Sequence, residues 1–133
     1  MDYKVGKTGN INQKDGLKIY FFNDQEVIAE IKIYNFDYLE ILQNEIYEFI
    51  PDKPVLNFSN SVVCLDLFVN ENYRKNGFGK HILNLSIEET KKMGIEYWIG
   101  YRYKNNNLSK SILESLNAEI IENEKIVIFL KKV

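Results

Sequence analysis

The chain has 133 residues and a mass of 15.7 kDa, with 17 Lys and Arg against 19 Asp and Glu, one His and one Cys. That length closes one core and not two, so a single domain over 1–133 is expected, and a net charge of −2 argues against a general nucleic-acid-binding surface. One Cys excludes a disulfide framework and a Cys-rich zinc site, and the lack of a long apolar run or signal-peptide core points away from membranes, to a cytoplasmic location.

Residues 1–14 are polar and read as a loose tail or a weak edge strand. Residues 17–22 and 27–34 are β-rich runs, and Asn23-Asp24-Gln25-Glu26 between them predicts a hairpin. Asp37 with Glu40 resembles a capping box, and Leu39, Leu42, Ile46 and Ile50 then recur at helical spacing until Pro51 and Pro54. This predicts a core-packing helix near 37–50.

Residues 62–69 read VVCLDLFV, apolar on both alternating faces apart from Asp66, which predicts a central strand buried on both sides. It leads through Asn70-Glu71-Asn72-Tyr73 into Arg74-Lys75-Asn76-Gly77-Phe78-Gly79. A helix then runs to about Met93, with Lys91 and Lys92 in its last turn and Gly94 just beyond it. Residues 95–101 form the next strand. Asn105 to Asn107 make a turn and cap for a short helix carrying Leu108, Ile112, Leu113 and Leu116 on one side. Residues 119–121 and 125–130 close the chain as a hairpin around Asn123. The order is β–β–α–β–α–β–α–β–β, an α/β (α+β) domain with helices flanking one mixed sheet.

Strand, short loop, Gly-x-Gly and helix together bind anions. The glycines let backbone approach the ligand, and the first helical turn presents unpaired N–H groups and the positive end of its dipole. The loop lacks Gly-Lys-Ser/Thr and is not GxGxxG, so it is neither a Walker loop nor a dinucleotide fingerprint. It suits a pyrophosphate. Alone the pattern is common; its weight comes from following the most apolar strand and opening the best helix.

With these residues the chain resembles the GNAT superfamily of acyl-CoA-dependent N-acyltransferases. That family's motif runs from a strand ending in Val through Arg/Gln-x-x-Gly-x-Gly/Ala into a long helix. Val69, Tyr73-Arg74, Gly77, Gly79 and Ile82-Leu83 fall in register with it. A second stretch agrees: Asn106, Ser109 and Leu116-Asn117-Ala118 stand at the spacing of the family's next helix, with Asn117 replacing a Gly at a left-handed position. The resemblance implies a GNAT fold, acetyl-CoA as co-substrate, no metal, and acetyl transfer to a primary amine of a small molecule or peptide. It further implies that backbone groups of Leu67, Phe68 and Val69 hold the pantetheine arm. The N–H groups of Arg74, Lys75, Asn76, Gly77, Phe78, Gly79 and Lys80 would receive the pyrophosphate, and Asn106 would anchor the pantetheine or the reacting sulfur.

There are departures. Leu113 stands where many members place a Tyr that protonates the leaving thiolate, and Val63 where some place a Glu base. The two substrate-side helices expected between the first and second strands are absent. An attacking ammonium must still lose a proton, and Asp66, Glu71 or a tyrosine are candidates. Asp66 is read either as paired with a Lys or Tyr or as the base; Tyr101 or Tyr103 is read as packing or as the acid. His81 reads as a surface or packing residue and Cys64 as a small core residue. Arg74 and Arg102 are the only arginines, and Arg102 reads as a surface ion pair or a reader of a substrate carboxylate. The alternative function is an inactive GNAT-fold module binding an acyl-CoA or a protein, and the expected state is monomer or homodimer.

Overall fold

A computed structural model describes residues 2–36, 44, 48, 60–103, 114–122 and 124–133. Seven strands form one sheet: β1 (Lys4–Gly9), β2 (Leu17–Phe22), β3 (Val27–Asn35), β4 (Ser61–Val69), β5 (Tyr97–Tyr103), β6 (Glu119–Glu122) and β7 (Ile126–Lys132). Their spatial order is β1-β2-β3-β4-β5-β7-β6. Every neighbouring pair is antiparallel except β4 and β5. A parallel pair needs a long crossover, and helix α1 (Phe78–Lys92) supplies it.

The polar N-terminal segment is an edge strand, not a loose tail. β1 pairs with β2 from Lys4↔Phe22 to Gly9↔Leu17. Side chains tie it to α1: Lys7 reaches Glu89 at 2.6 Å, and the Tyr3 hydroxyl hydrogen-bonds His81 Nδ1 at 3.0 Å. The Tyr3 ring also stands edge-on to Phe78, 5.5 Å between centroids. Residues 10–16 form a tight turn, closed by Asn10 N–H donating to the Gly16 carbonyl at 3.1 Å. No helical pair therefore stands between β1 and β2.

The β2–β3 hairpin forms as predicted. Its turn is held by Asn23, whose Oδ1 accepts from Gln25 N–H at 2.9 Å and Glu26 N–H at 3.0 Å. Ile19 and Phe21 of β2 are fully buried in the α1-side core, while Lys18, Tyr20 and Phe22 alternate to the other face, half-buried.

Strand β4 corrects the expectation of burial on both faces. Ser61 to Cys64 are buried and flanked by β3 and β5, but Asp66 and Phe68 are exposed. The cause is a β-bulge. Leu65 pairs with Lys32 and Phe68 with Glu30, so three steps on β4 oppose two on β3, and Asp66 takes a left-handed φ of 57°. Among the described residues, β4 and β5 pair only from Ser61↔Tyr97 to Cys64↔Gly100, whereas β5 stays paired with β7 to Tyr103↔Ile126. A wedge opens between the two parallel strands.

Helix α1 buries Phe78, Ile82, Leu83, Ser86 and Thr90 against the sheet. It ends as predicted, with Lys91 and Lys92 in the last turn and Gly94 at φ 73° donating to the Lys91 carbonyl at 3.1 Å. Two cores result. One, under α1, includes Phe21, Ile31, Val62, Cys64, Trp98 and Phe129; the other holds Phe36, Val63, Ile99, Ile126, Ile128 and Leu130 on the opposite face. Alternate residues of β5 and β7 serve different cores, which explains their unbroken apolar runs. Asn117 adopts the expected left-handed backbone, φ 56°. The predicted helices near 37–50 and 105–116 lie outside the described residues apart from Asn44, Glu48 and Glu114, which are helical, and Ser115 and Leu116 in the turn that follows. Among the described residues no helix is long and apolar enough to cross a membrane.

Inside the first core, Trp98 Nε1 donates to Ser86 Oγ at 3.1 Å, and Ser86 Oγ donates to the Leu83 carbonyl at 2.6 Å. Trp98 and Ser86 are both fully buried. Ser86→Ala leaves the indole N–H without this acceptor and is expected to destabilise the fold by about 1–3 kcal/mol. Urea unfolding measures this; an unchanged midpoint would show that the bond contributes nothing.

Candidate functional site

The site begins where β4 ends. Asn70 is fixed by its own N–H, which donates to the Ile28 carbonyl at 2.8 Å, and by Nδ2, which donates to Glu26 Oε2 at 3.0 Å and the Val27 carbonyl at 3.1 Å. Its Oδ1 accepts from Asn72 N–H at 3.1 Å, capping a short 3-10 turn, Glu71–Tyr73. Tyr73 then accepts a hydrogen bond at 2.8 Å from Asn23 Nδ2 of the β2–β3 turn. The hairpin thus clamps both ends of this 3-10 turn.

Beyond it, Arg74 folds back so that Nε donates to the Val69 carbonyl at 3.3 Å, and Asn76 Nδ2 donates to the Tyr73 carbonyl at 3.2 Å. Lys75 at φ 69° and Gly77 at φ 81° are both left-handed, which turns successive N–H groups toward one side. The first intrahelical bond runs from His81 N–H to the Gly77 carbonyl at 3.0 Å. The N–H groups of Phe78, Gly79 and Lys80 precede it and have no helical acceptor. Phe78 and Gly79 are buried beneath, while Arg74, Lys75, Asn76, Gly77 and Lys80 are exposed. A Cβ on Gly77 would meet nothing within 4 Å among the described residues. Gly is needed there for its backbone angle and leaves the space above the amides open. Three exposed cations, Arg74, Lys75 and Lys80, flank these backbone donors.

Leu67, Phe68 and Val69 form the outer half of β4 along the wedge, and Phe68 and Val69 pair with β3 alone among the described strands. Leu67 is half-buried against the first core, Phe68 is 45% exposed and Val69 is buried. Their free edge lies directly before the nest. Asp66, at the bulge, and Lys32 are the charges that act on the Tyr34 phenol of β3. Burial raises the Tyr34 phenol above its ordinary value, Lys32 offsets part of this and the Asp66 charge adds to it. Tyr34 is therefore a protonated donor at neutral pH.

Tyr101 follows Gly100, the last β5 residue paired with β4, and packs half-buried against the second core. Asn106, with Ser109 and Leu113, lies outside the described residues, as does the side chain of Tyr103. Arg102 corrects its surface reading. It is 7% exposed, with its guanidinium 5.9 Å from the Phe129 ring centroid, and it pairs with Val127 of β7. His81 is an exposed packing residue beside Tyr3 and Phe21, as expected. Sequence reasoning missed the partners of Asn23, Glu26 and Asn70. Asn23 was visible as a turn residue, but its partner across the fold had no local signal.

Cys64 is a buried core residue, as expected, and burial pushes its thiol well up, with a Ser86 hydrogen bond offsetting a part. Little thiolate exists at pH 8. Iodoacetamide is expected to leave the native chain unmodified and to label Cys64 only in denaturant, read by mass spectrometry; rapid native labelling would contradict this burial.

A mixed sheet that splits between two parallel strands, with an anion nest at the mouth of the split, defines an acyl-CoA-dependent transferase fold. The family model described as Acetyltransferase (GNAT) family matches residues 8–114, and the chain belongs to that family of acetyltransferases. Comparison with curated proteins finds no match. Solved structures share the fold. An acetyltransferase from Bacillus subtilis in complex with CoA has TM-score 0.68 at 12% identity, covering 99% of each chain. The ribosomal-protein-S18-alanine N-acetyltransferase from Escherichia coli has TM-score 0.62 at 16% identity, over 92% of this chain and 72% of that one. The PaiA N-acetyltransferase from Thermoplasma acidophilum in complex with coenzyme A has TM-score 0.60 at 17% identity, over 87% of this chain and 60% of that one.

Proposed function

We propose that the chain transfers an acetyl group from acetyl-CoA to the primary amine of a small molecule or a peptide. The observation that carries this reading is the opening of the β4–β5 wedge directly beside the amide nest at Gly77 to Lys80. An extended pantetheine arm can hydrogen-bond the free edge of Leu67 to Val69 as a strand would. The pyrophosphate at its far end then falls to the nest, with Arg74, Lys75 and Lys80 adding charge. Two of the structural neighbours are CoA complexes, and the Escherichia coli one is a ribosomal-protein-alanine N-acetyltransferase, which supports a peptide amine among the candidates.

In the reaction the acceptor ammonium gives a proton to Asp66, and its lone pair attacks the thioester carbonyl. A strand N–H stabilises the oxyanion, an effect commonly worth about 3 kcal/mol. As the C–S bond breaks, Tyr101 gives its phenolic proton to the thiolate and takes back the second amine proton; Asn106 anchors the pantetheine or the sulfur. Most of the acceleration comes from holding two reactants together.

Acetyl-CoA at about 100 times Kd is expected to stabilise the fold by about 2.7 kcal/mol, seen as a raised melting midpoint. No shift at millimolar ligand would remove the CoA reading. Gly77→Glu places a carboxylate over the nest and strains a left-handed backbone, so affinity should fall more than about tenfold. Asn70→Ala breaks the clamp beneath the loop and should weaken acetyl-CoA binding while the chain still folds; calorimetry on both variants measures this, and unchanged affinity would move the pyrophosphate elsewhere. Thiol release with polyamines, amino acids, aminoglycosides and peptide N-termini identifies the acceptor class.

A further inference from the structure

Helix α1 opens on residues that cannot hold its first turn by themselves. Gly77, at the cap position, has no side chain to accept from the first amides, and the first turn carries no acidic residue. Helix ends fray where their N–H groups lack partners. Yet the N–H groups of Phe78, Gly79 and Lys80 are the ones offered to a pyrophosphate. A side chain that capped them would compete with the ligand, so the turn has to be held from the side.

That support is aromatic. Phe78, the first helical residue, is buried, and its ring centroid lies 5.5 Å from that of Tyr3, 6.2 Å from Phe21 and 6.2 Å from Tyr73. Tyr3 packs on Phe21 at 4.9 Å, and its hydroxyl hydrogen-bonds His81 Nδ1 at 3.0 Å. Phe78 and His81 stand one turn apart on the same helical face. Tyr3 therefore grips both ends of the turn that carries the three amides. Further along, Lys7 meets Glu89. From Tyr3 to Lys7 an extended chain rises about 13 Å, and from His81 to Glu89 a helix rises about 12 Å. Strand and helix run side by side in step: Lys7 fastens the body of α1 and Tyr3 fastens its start.

We infer that Tyr3 is a positioning residue for the pyrophosphate of acetyl-CoA, bridging Phe78 and His81 so that the first turn of α1 is ordered before the ligand arrives. The assignment rests on the proposed acetyl-CoA reading and on the amides of α1 as the pyrophosphate site. A turn that had to be ordered during binding would subtract its ordering entropy from the affinity; a turn already held does not. The pantetheine track is fixed differently, by the pairing of Phe68 and Val69 with β3. A donor without the diphosphate is thus insensitive to Tyr3.

The test compares two donors on the full chain, acetyl-CoA and S-acetylpantetheine, which lacks the diphosphate. The acceptor is whichever amine of the panel above turns over fastest, and kcat/KM is read for each donor. Tyr3→Leu is expected to lower kcat/KM for acetyl-CoA about tenfold, through KM, with kcat and the S-acetylpantetheine value held within about twofold. Tyr3→Phe keeps the ring on Phe78 and gives up the His81 bond; it should lose about threefold in the same direction, and serves if Tyr3→Leu folds poorly. Lys7→Met is the control for the docking of β1. It should lower the urea midpoint and keep the wild-type preference for acetyl-CoA over S-acetylpantetheine. A preference unchanged in both Tyr3 variants makes Tyr3 a purely structural residue and overturns the inference, as does an equal loss of preference in Lys7→Met. A wild-type chain that does not distinguish the two donors overturns the pyrophosphate reading itself, and the inference with it.

Discussion

The constraint on which the molecule depends is the loss of pairing between two parallel strands. β4 and β5 cannot both follow their outer neighbours and remain bonded to one another once β4 has absorbed an extra residue at Asp66. Beyond the bulge β4 stays with β3 while β5 goes on with β7, and among the described strands the backbone groups between them are not bonded to one another. A buried strand edge without partners would be costly. An edge that opens to a ligand made of amides is a binding surface.

The anion nest would be of little use without this edge. A helix N-terminus alone holds phosphate weakly and without orientation. Here it stands at the end of an extended track, so one ligand can engage both. The same bulge leaves Asp66 exposed, with a left-handed φ of 57°.

Much of the fold was legible because apolar periodicity reports burial directly. The hairpin, α1 with its Lys91-Lys92-Gly94 ending, and the Gly77-Phe78-Gly79 loop all follow from local chemistry. β1 was ambiguous because an edge strand is made by backbone pairing, which polar residues support as well as apolar ones. The break in β4 was hidden because VVCLDLFV reads as continuous, and only Asp66 interrupts it. Arg102 misled in the other direction: charge suggested the surface, whereas the folded chain buries it beside Phe129. The clamp from Asn23 and Glu26 joins segments that only the folded sheet brings together.

That clamp has a consequence for how the anion site comes into being. Asn23 contacts Tyr73 and Glu26 contacts Asn70 across separations of 50 and 44 residues. The glycine loop is therefore not a portable cassette. Excised as a peptide, or grafted onto another strand and helix, it would keep its glycines but lose the hairpin that shapes it. The loop reaches its working form only after β2, β3 and β4 have paired, so ligand affinity doubles as a gauge of whether the sheet has assembled.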